Sequence, residues 1–462
     1  MKFKLPDTLI IVSTILLIFV ILTWIIPAGE FERDVVNGRE VLVPGSYHEI
    51  EPAPQGFFDF LKAPIKGFIS AAQIVGFVLL VGGAFSVINK TDAINAGLKK
   101  IIDFTRQYPK MKKVMVAFLI VLFSLAGATF GMSEEVLVFV LITIPLGLSL
   151  GYDSLVGIYI PFVGAGAGFA GAFSNPFTIG IAQGIAELPP FSGWEYRLLV
   201  WACFTTIAVL FMLWYLTRLD KDPKRSPVFR IDQKRDTEDL TMPSHNFDNK
   251  KLFVVVIFIA GLIGLVIGVS QWDWYINEIS GLFILISIVA AFMGRLSPNT
   301  YAQAFVDGAR DMMTAALVIA FSKGILIVAT DGKIIDTVLF SLSGLAEGSS
   351  KILSVELMFF VQSAINLFLP SGSGQAALTM PIMAPLSDLL GVSRQTAVLA
   401  FQFGDGLSNL IIPTSGVTMG VLSIAGIPYQ VWIKWMAPLM VIFFLLAMAL
   451  LVPPVILGWG PF

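Results

Sequence analysis

The chain has 462 residues, 56% hydrophobic and 13% charged, with a mean hydropathy of +0.83, whereas soluble domains sit near a quarter charged and under half apolar, so this composition belongs in a bilayer. The formal net charge of −2 and the lack of a long basic run exclude nucleic acid as a partner class. Cys203 is the single cysteine, which excludes an internal disulfide and any cysteine-based metal centre, and the two histidines, His48 and His245, fall in polar loops.

The first apolar run, 8–27, is long for the apolar core of a signal peptide, and Pro27-Ala-Gly-Glu-Phe31 is a poor cleavage site, so it is kept as the first span. Apolar runs of ~20 residues are read as helices, because hydrocarbon satisfies no backbone polar group. They fall at 8–27, 68–90, 194–216, 252–270, 279–294, 308–330 and 430–452. Lys2, Lys4, the segment from Lys99 to Lys113 and the loop from Arg218 to Lys251 are basic, which places them in the cytoplasm. The loops 28–56 and 271–278 carry Glu30, Glu32, Asp34, Glu40, Asp273 and Glu278 and face outward. The N-terminus is therefore expected inside and the C-terminus outside.

Between Lys113 and Trp194 the small and polar stretch Ala126-Gly-Ala-Thr-Phe-Gly-Met-Ser-Glu-Glu135 interrupts the apolar pattern. It reads as the tip of a re-entrant hairpin, 112–150, that opens to the cytoplasm, since irregular backbone at depth survives only where protein or a watery cavity shields it. The next segment, 152–187, is a Gly-rich helix that breaks near Ser174, because Pro176 lacks a backbone donor and disfavours helix at Asn175.

The second half follows the same plan. A shift of 240 residues places Ser133 on Ser373, Pro145 on Pro385, Gly151 on Gly391, Gly164 on Gly404, Gly166 on Gly406 and Thr178 on Thr418. A second hairpin, 352–390, has the tip Pro370-Ser-Gly-Ser-Gly-Gln375, and a second broken helix, 392–427, breaks at Ile412-Pro-Thr-Ser-Gly416. The span 252–270 is an extra crossing, so the second repeat runs inverted and its hairpin opens outward. The expected organisation is a first repeat over 1–217, a solvated cytoplasmic linker over 218–251 and a second repeat over 252–462. The fold class is an all-α polytopic membrane protein with two re-entrant hairpins and two broken helices. Inverted repeats with helices broken at mid-depth point to the site of a secondary transporter.

Glu134 and Glu135 at the first tip suit a cationic substrate group or a proton, one of them facing the site; the bland alternative is a pair of first-turn acids behind a Ser133 cap. Asp405, whose repeat counterpart is Ala165, is a lone carboxylate in the second broken helix, and Lys323 is its candidate partner. Ser174, Asn175, Thr178, Thr414, Ser415 and Thr418 supply oxygens at the breaks, and a sodium ion would sit near Ser174, Asn175, Thr414 and Ser415. Their plain role would be to satisfy the broken backbone. Ser371, Ser373 and Gln375 at the second tip, with Ser408 and Asn409, complete the candidate set. Gly164, Gly166, Gly168 and Gly171 are assigned to close helix packing, not to binding.

At Ser133-Glu134-Glu135, Ser174-Asn175-Pro176, Ser371-Gly-Ser-Gly-Gln375 and Gly404-Asp-Gly-Leu-Ser-Asn-Leu-Ile-Ile-Pro-Thr-Ser-Gly416 the chain resembles the ion-transporter superfamily. Within it the resemblance is to the YfcC-like branch of the anaerobic four-carbon dicarboxylate carrier-like proteins, and it covers most of the chain. It implies a scaffold that dimerises, a mobile transport domain of hairpins and broken helices, an elevator motion, and a prokaryotic inner (plasma) membrane location. In relatives, Ser-Asn-Thr-like motifs and hairpin tips bind sodium and substrate carboxylate; here the motifs read Ser-Asn-Pro and Pro-Thr-Ser-Gly. Some members of the branch are regarded as basic amino acid exchangers.

The expectation is therefore a transporter, not an enzyme, with no cofactor and with sodium or the proton as coupling ion. Its first-choice substrates are basic amino acids such as arginine and ornithine, because no arginine sits deep in either hairpin to hold a dicarboxylate. The alternative is a dicarboxylate carrier. An intramembrane hydrolase using Ser371, Ser373 or Ser415 with Lys323, and a passive channel, rank lower.

Overall fold

The computed structural model describes residues 8–36, 39–43, 45–108, 111–235, 249–272, 274–343 and 350–460. Lys2, Lys4, Lys110, His245 and Asp273 lie outside these residues.

The first half opens with α1 (Thr8–Ile25), two small antiparallel ribbons made of β1 (Gly29–Glu30) with β4 (His48–Glu49) and β2 (Arg33–Val36) with β3 (Arg39–Leu42), then α2 (Phe57–Ser70), α3 (Ala72–Lys90) and α4 (Ala93–Gln107). The ribbons are an addition to the all-helical expectation. Next come the arms α5 (Met111–Phe130) and α6 (Val136–Ser149), and α7 (Ser154–Ala170), which has a π-helical stretch at Tyr159–Val163. After a gap, the π-helical turn Pro176–Gly180 leads into α8 (Ile181–Ile185) and then α9 (Trp194–Lys221).

Helix α10 (Asn249–Gln271) precedes the second half. That half contains α11 (Ile276–Met293), α12 (Pro298–Asp311), α13 (Met313–Asp331), α14 (Ile335–Ser343), the arms α15 (Lys351–Phe368) and α16 (Gly372–Leu389), α17 (Arg394–Ser408), α18 (Gly416–Ile424) and α19 (Tyr429–Leu457). Among the described residues seven helices are long and apolar enough to cross a bilayer, and they include the arms α5, as Met111–Thr129, and α15. Length and hydropathy alone therefore do not separate a hairpin arm from a crossing. The apolar run expected at 308–330 is divided at Met312 between α12 and α13.

The element order is the same in both halves, and so are the closest crossings. Gly67 of α2 lies against the backbone of Ala320 and Gly324 in α13, while Gly308 of α12 lies against the Gly82 backbone in α3. Each half thus supplies a small residue to the other at equivalent places, where a side chain would push the backbones apart. Helices α1, α2, α3, α11, α12 and α13 pack on one another, and α5 to α9 pack with α15 to α19 into a second group. The main seam between the groups is α13 against α18.

The arms and broken helices follow from local chemistry. Gly131 ends α5 at φ +72°, a conformation that favours glycine, and the arms meet through Phe123 and Phe139, whose ring centroids are 4.9 Å apart. Both arms lie against α7. The first break occupies 171–175 and ends where Pro176 opens the π-helical turn; the second occupies 409–415 around Pro413. Pro at a helix start and inside a break is where its missing donor costs least. The glycines of α7 and the one that follows it pack closely as expected: Gly168 faces the Ser124 carbonyl, and a Cβ on Gly171 would reach Trp201 Cα at 2.5 Å. Gly168→Val is expected to cost about 1–3 kcal/mol through overpacking, seen as a lower melting temperature in detergent; an unchanged melting temperature would contradict this packing.

The expected solvated linker is corrected over its first part. Helix α9 continues to Lys221, and 222–235 fold back onto the helices, with Val228 fully buried. Asp232 accepts from the Ser154 amide at 2.9 Å and from Arg235 Nε at 2.8 Å, and Arg235 donates onward to the Ala425 carbonyl. Asp153 accepts from the Tyr215 hydroxyl at 2.5 Å. Carboxylates at helix starts satisfy amides that have no helical partner, which is why the segment docks. At the start of α17, Arg394 bridges Glu187 at 2.7 Å and Asp388 at 2.8 Å; the hydrogen bonds it donates to Asp388 and Glu187 hold its guanidinium above its ordinary pKa.

Candidate functional site

A cavity of about 150 Å³ lies on the seam between the two helix groups. The second group lines it with Ser133, Glu134 and Glu135 ahead of α6, with Phe177 and Thr178 from the π-helical turn, with Ser371, Gly372 and Ser373 at the start of α16, and with Asn409, Ser415, Gly416 and Val417 around the second break. Three helices of eight residues or more, α6, α16 and α18, begin at this cavity. Their starts expose amides without helical partners and carry the positive end of the helix dipole, which suits an anionic group. The first group supplies Ile319 and Lys323 from α13, Ile74 from α3 and Tyr275 ahead of α11. The Tyr275 ring sits 6.0 Å from that of Phe177 across the seam.

The break and tip residues cap the π-helical turn and the starts of α16 and α18. Asn175 Oδ1 accepts the Phe177 amide at 2.9 Å, Ser371 Oγ accepts the Gly374 amide at 3.3 Å, and Ser415 Oγ accepts the Thr418 amide at 3.4 Å. Asn175 is fully buried and touches the first tip: a Cβ on Gly131 would come to 2.5 Å from its Oδ1. Glu135 is 4% exposed and its Oε2 accepts the Ser133 amide at 3.0 Å, so this carboxylate braces the tip. Glu134 is half-buried, lines the cavity and has no hydrogen-bond or ion-pair partner among the described residues. Both carboxylates thus line the cavity, where the sequence led to the expectation that one of them faces it, and Glu135 alone also braces the tip.

Eight of the fifteen candidate residues line the cavity: Ser133, Glu134, Glu135, Thr178, Ser371, Ser373, Asn409 and Ser415. The others stand behind it. Gln375 donates to the Gln362 carbonyl and Oε1 at 2.9 and 2.8 Å, tying α16 to α15. Ser408 accepts from Asn366 Nδ2 at 2.7 Å, and Thr418 donates to the Asn409 carbonyl. The amide of Ser174 bonds the Ala128 carbonyl at 3.3 Å, and Thr414 Oγ1 is buried without a partner among the described residues.

The candidate pairing of Asp405 with Lys323 does not form. Asp405 is fully buried in α17, where its Oδ1 accepts from Asn409 Nδ2 at 2.9 Å. Its Oδ2 has no partner among the described residues and lies at Gly372, where an added Cβ would come to 2.9 Å from it and 2.6 Å from Cγ2 of Thr178, whose own Oγ1 is also buried and without a partner among the described residues. Lys323 instead reaches the cavity, and it has no ion pair among the described residues. Separation onto the two helix groups is the physical reason: Lys323 sits on α13, across the seam from α17. Lys323 also hydrogen-bonds none of Ser371, Ser373 and Ser415, so the geometry of a serine nucleophile with a lysine base is not formed. No group of three or more histidine, cysteine, aspartate or glutamate side chains that could hold a metal occurs among the described residues.

Sequence reasoning missed Tyr275, Ile74, Gln362 and Asn366. Gln362 and Asn366 had a signal, being amides one turn apart in the inner, largely apolar part of α15; Tyr275 and Ile74 had none.

A multi-pass bundle with a polar cavity enclosed by two interrupted helices and the tips of two helix pairs is the architecture of a membrane transporter. The chain belongs to the DcuC family, described as C4-dicarboxylate anaerobic carriers, whose pattern matches residues 5–455. It is 32% identical to Escherichia coli (strain K12) YfcC, provisionally named a basic amino acid antiporter, over 99% of this chain and 98% of that protein. An uncharacterized protein of Haemophilus influenzae (strain ATCC 51907 / DSM 11121 / KW20 / Rd) is 27% identical over 97% of each chain. Among solved structures, the Alcanivorax borkumensis YdaH transporter aligns over 99% of this chain and 100% of its own, with a TM-score of 0.43 and 16% identity, too distant to transfer residues.

Proposed function

We propose that this protein is an alternating-access carrier of amino acids with a cationic side chain, of which arginine and ornithine are the simplest examples. The observation that carries the reading is the charge of the cavity. Its lining holds the carboxylates of Glu134 and Glu135 and the single ammonium of Lys323, a net of −1 when all are ionised. A basic amino acid, with one net positive charge, closes that balance; a dicarboxylate would leave three negative charges in a low-dielectric seam. The substrate's carboxylate would rest on the starts of α16 and α18, and its cationic group on Glu134. The provisional name of the Escherichia coli relative supports this choice.

The motion proposed is an elevator, in which the second helix group slides along α13 while the first stays fixed, and the cavity's place on the seam supports it. The hairpins are taken as re-entrant and the repeats as inverted, supported by the reciprocal glycine crossings. The N-terminus is assigned to the cytoplasm and the C-terminus to the outside of an inner membrane, and the first group is assigned the homodimer contact. The coupling ion, sodium or a proton, is placed at Asp405 Oδ2 beside Thr178, since a buried ionised carboxylate calls for a cation. Ser174, Asn175, Thr414 and Ser415 are the second position for sodium.

One feature favours the dicarboxylate reading: Lys323 and three helix starts suit carboxylates, as the family's description does. Exchange of labelled arginine in liposomes loaded with ornithine or succinate, with sodium or proton gradients imposed, separates the two. Saturable arginine counterflow against ornithine is expected. Succinate exchange without arginine exchange would overturn the reading.

A further inference from the structure

We propose that Lys323 is a fixed countercharge that restrains the substrate-free carrier, so that transport proceeds by exchange and not by net uptake; this rests on the amino-acid reading above. Lys323 belongs to α13 of the first helix group, and Glu134 and Glu135 belong to the tip of the second. All three face the same cavity, and neither Lys323 nor Glu134 has a partner of its own among the described residues. In the empty protein the tip's negative charge is therefore balanced only by an ammonium on the body that stays behind. Sliding one group past the other separates these opposite charges inside a seam of low dielectric, where the work of separation is far larger than in water.

A bound cationic substrate changes that work. Its guanidinium or ammonium cancels one tip carboxylate, and its carboxylate rests on helix starts that travel with the same group. The loaded body then carries less negative charge away from Lys323 when it moves. The contact surface is built from small residues, since a Cβ on Gly416 or Gly420 of α18 would meet Ile319, one turn from Lys323, at 3.5 and 3.3 Å, so no large α18 side chain interlocks with α13 at these two places. The barrier that distinguishes empty from loaded protein is thus electrostatic, and it resides in one lysine.

The test uses two readouts, one of which needs no substrate. Val417→Cys, placed in a Cys203→Ala background, puts a thiol in the cavity wall, and its labelling by a membrane-impermeant maleimide is followed in right-side-out and inside-out vesicles without substrate. With Lys323 intact the thiol is expected to react from one side. With Lys323→Met, and equally with Lys323→Gln, it is expected to react from both, while Lys323→Arg keeps the one-sided pattern. In parallel, labelled arginine uptake into empty vesicles is expected to rise at least about tenfold in Lys323→Met over the parent. Unchanged one-sided labelling in both neutral variants, or net arginine uptake by the parent as fast as its exchange, would overturn the proposal. Two-sided labelling in the neutral variants with no arginine flux in any protein would leave the restraint standing and defeat the amino-acid reading instead.

Discussion

Glu134→Gln is expected to abolish high-affinity arginine exchange, whereas Glu135→Gln leaves it within about threefold of the parent. The two residues are adjacent in sequence and share a tip, but their surroundings differ. Glu135 is 4% exposed and spends Oε2 on the Ser133 amide, a bond that a glutamine oxygen can also accept. Glu134 lines the cavity without a partner among the described residues, so its charge is free for a substrate cation. Removing one partner of a buried charge-assisted contact costs about 2–4 kcal/mol, which corresponds to a loss of about thirty- to a thousand-fold in affinity. The half-saturation constant for arginine counterflow checks this. The reverse pattern, with Glu135→Gln inactive and Glu134→Gln normal, would show that the tip brace and the substrate contact are assigned the wrong way round.

Asp405→Asn is expected to fold normally and to lose the response of transport to an imposed sodium or proton gradient. Asp405 is buried completely, with Asn409 on Oδ1 and nothing on Oδ2. An ionised carboxylate in that position carries an uncompensated cost that a bound cation or proton removes. Asparagine keeps the shape and removes the charge, so a melting temperature at or above that of the parent is expected while gradient-driven flux falls by about tenfold or more. Asp405→Leu loses the Asn409 contact as well and is expected to lower the melting temperature. Gradient-driven flux that survives Asp405→Asn unchanged would make Asp405 a structural residue and move the coupling ion to the breaks.

The interrupted helices were legible in the sequence because their causes are local. Pro176 and Pro413 each remove a backbone donor beside small polar residues, a context that Pro145 and Pro385, which stay inside continuous helices, lack, and Gly131 permits a backbone that few other residues adopt, so breaks and tip fall within a few residues of where the sequence places them. The restart points, Pro176 and Gly416, even obey the same shift of 240 residues as the other matches between the halves. The far wall of the cavity was not legible. Lys323 and Asp405 are both charges in apolar runs, and sequence alone offers pairing as the default; which helix group each belongs to is a tertiary property, and it separates them. Tyr275 reaches the cavity only because α11 starts beside the π-helical turn. The docking of 222–235 was hidden for another reason. A polar, charged stretch between apolar runs reads as solvated, and only the presence of unpaired amides at Ser154, within reach of Asp232, turns one of those charges into an anchor.

The most direct measurement is calorimetric binding of arginine and of succinate to the purified protein in detergent, with Glu134→Gln alongside. Saturable binding of arginine that disappears in Glu134→Gln, with no binding of succinate, is the result expected from a cavity of net negative charge. Binding of succinate, or arginine binding that Glu134→Gln leaves intact, would contradict it.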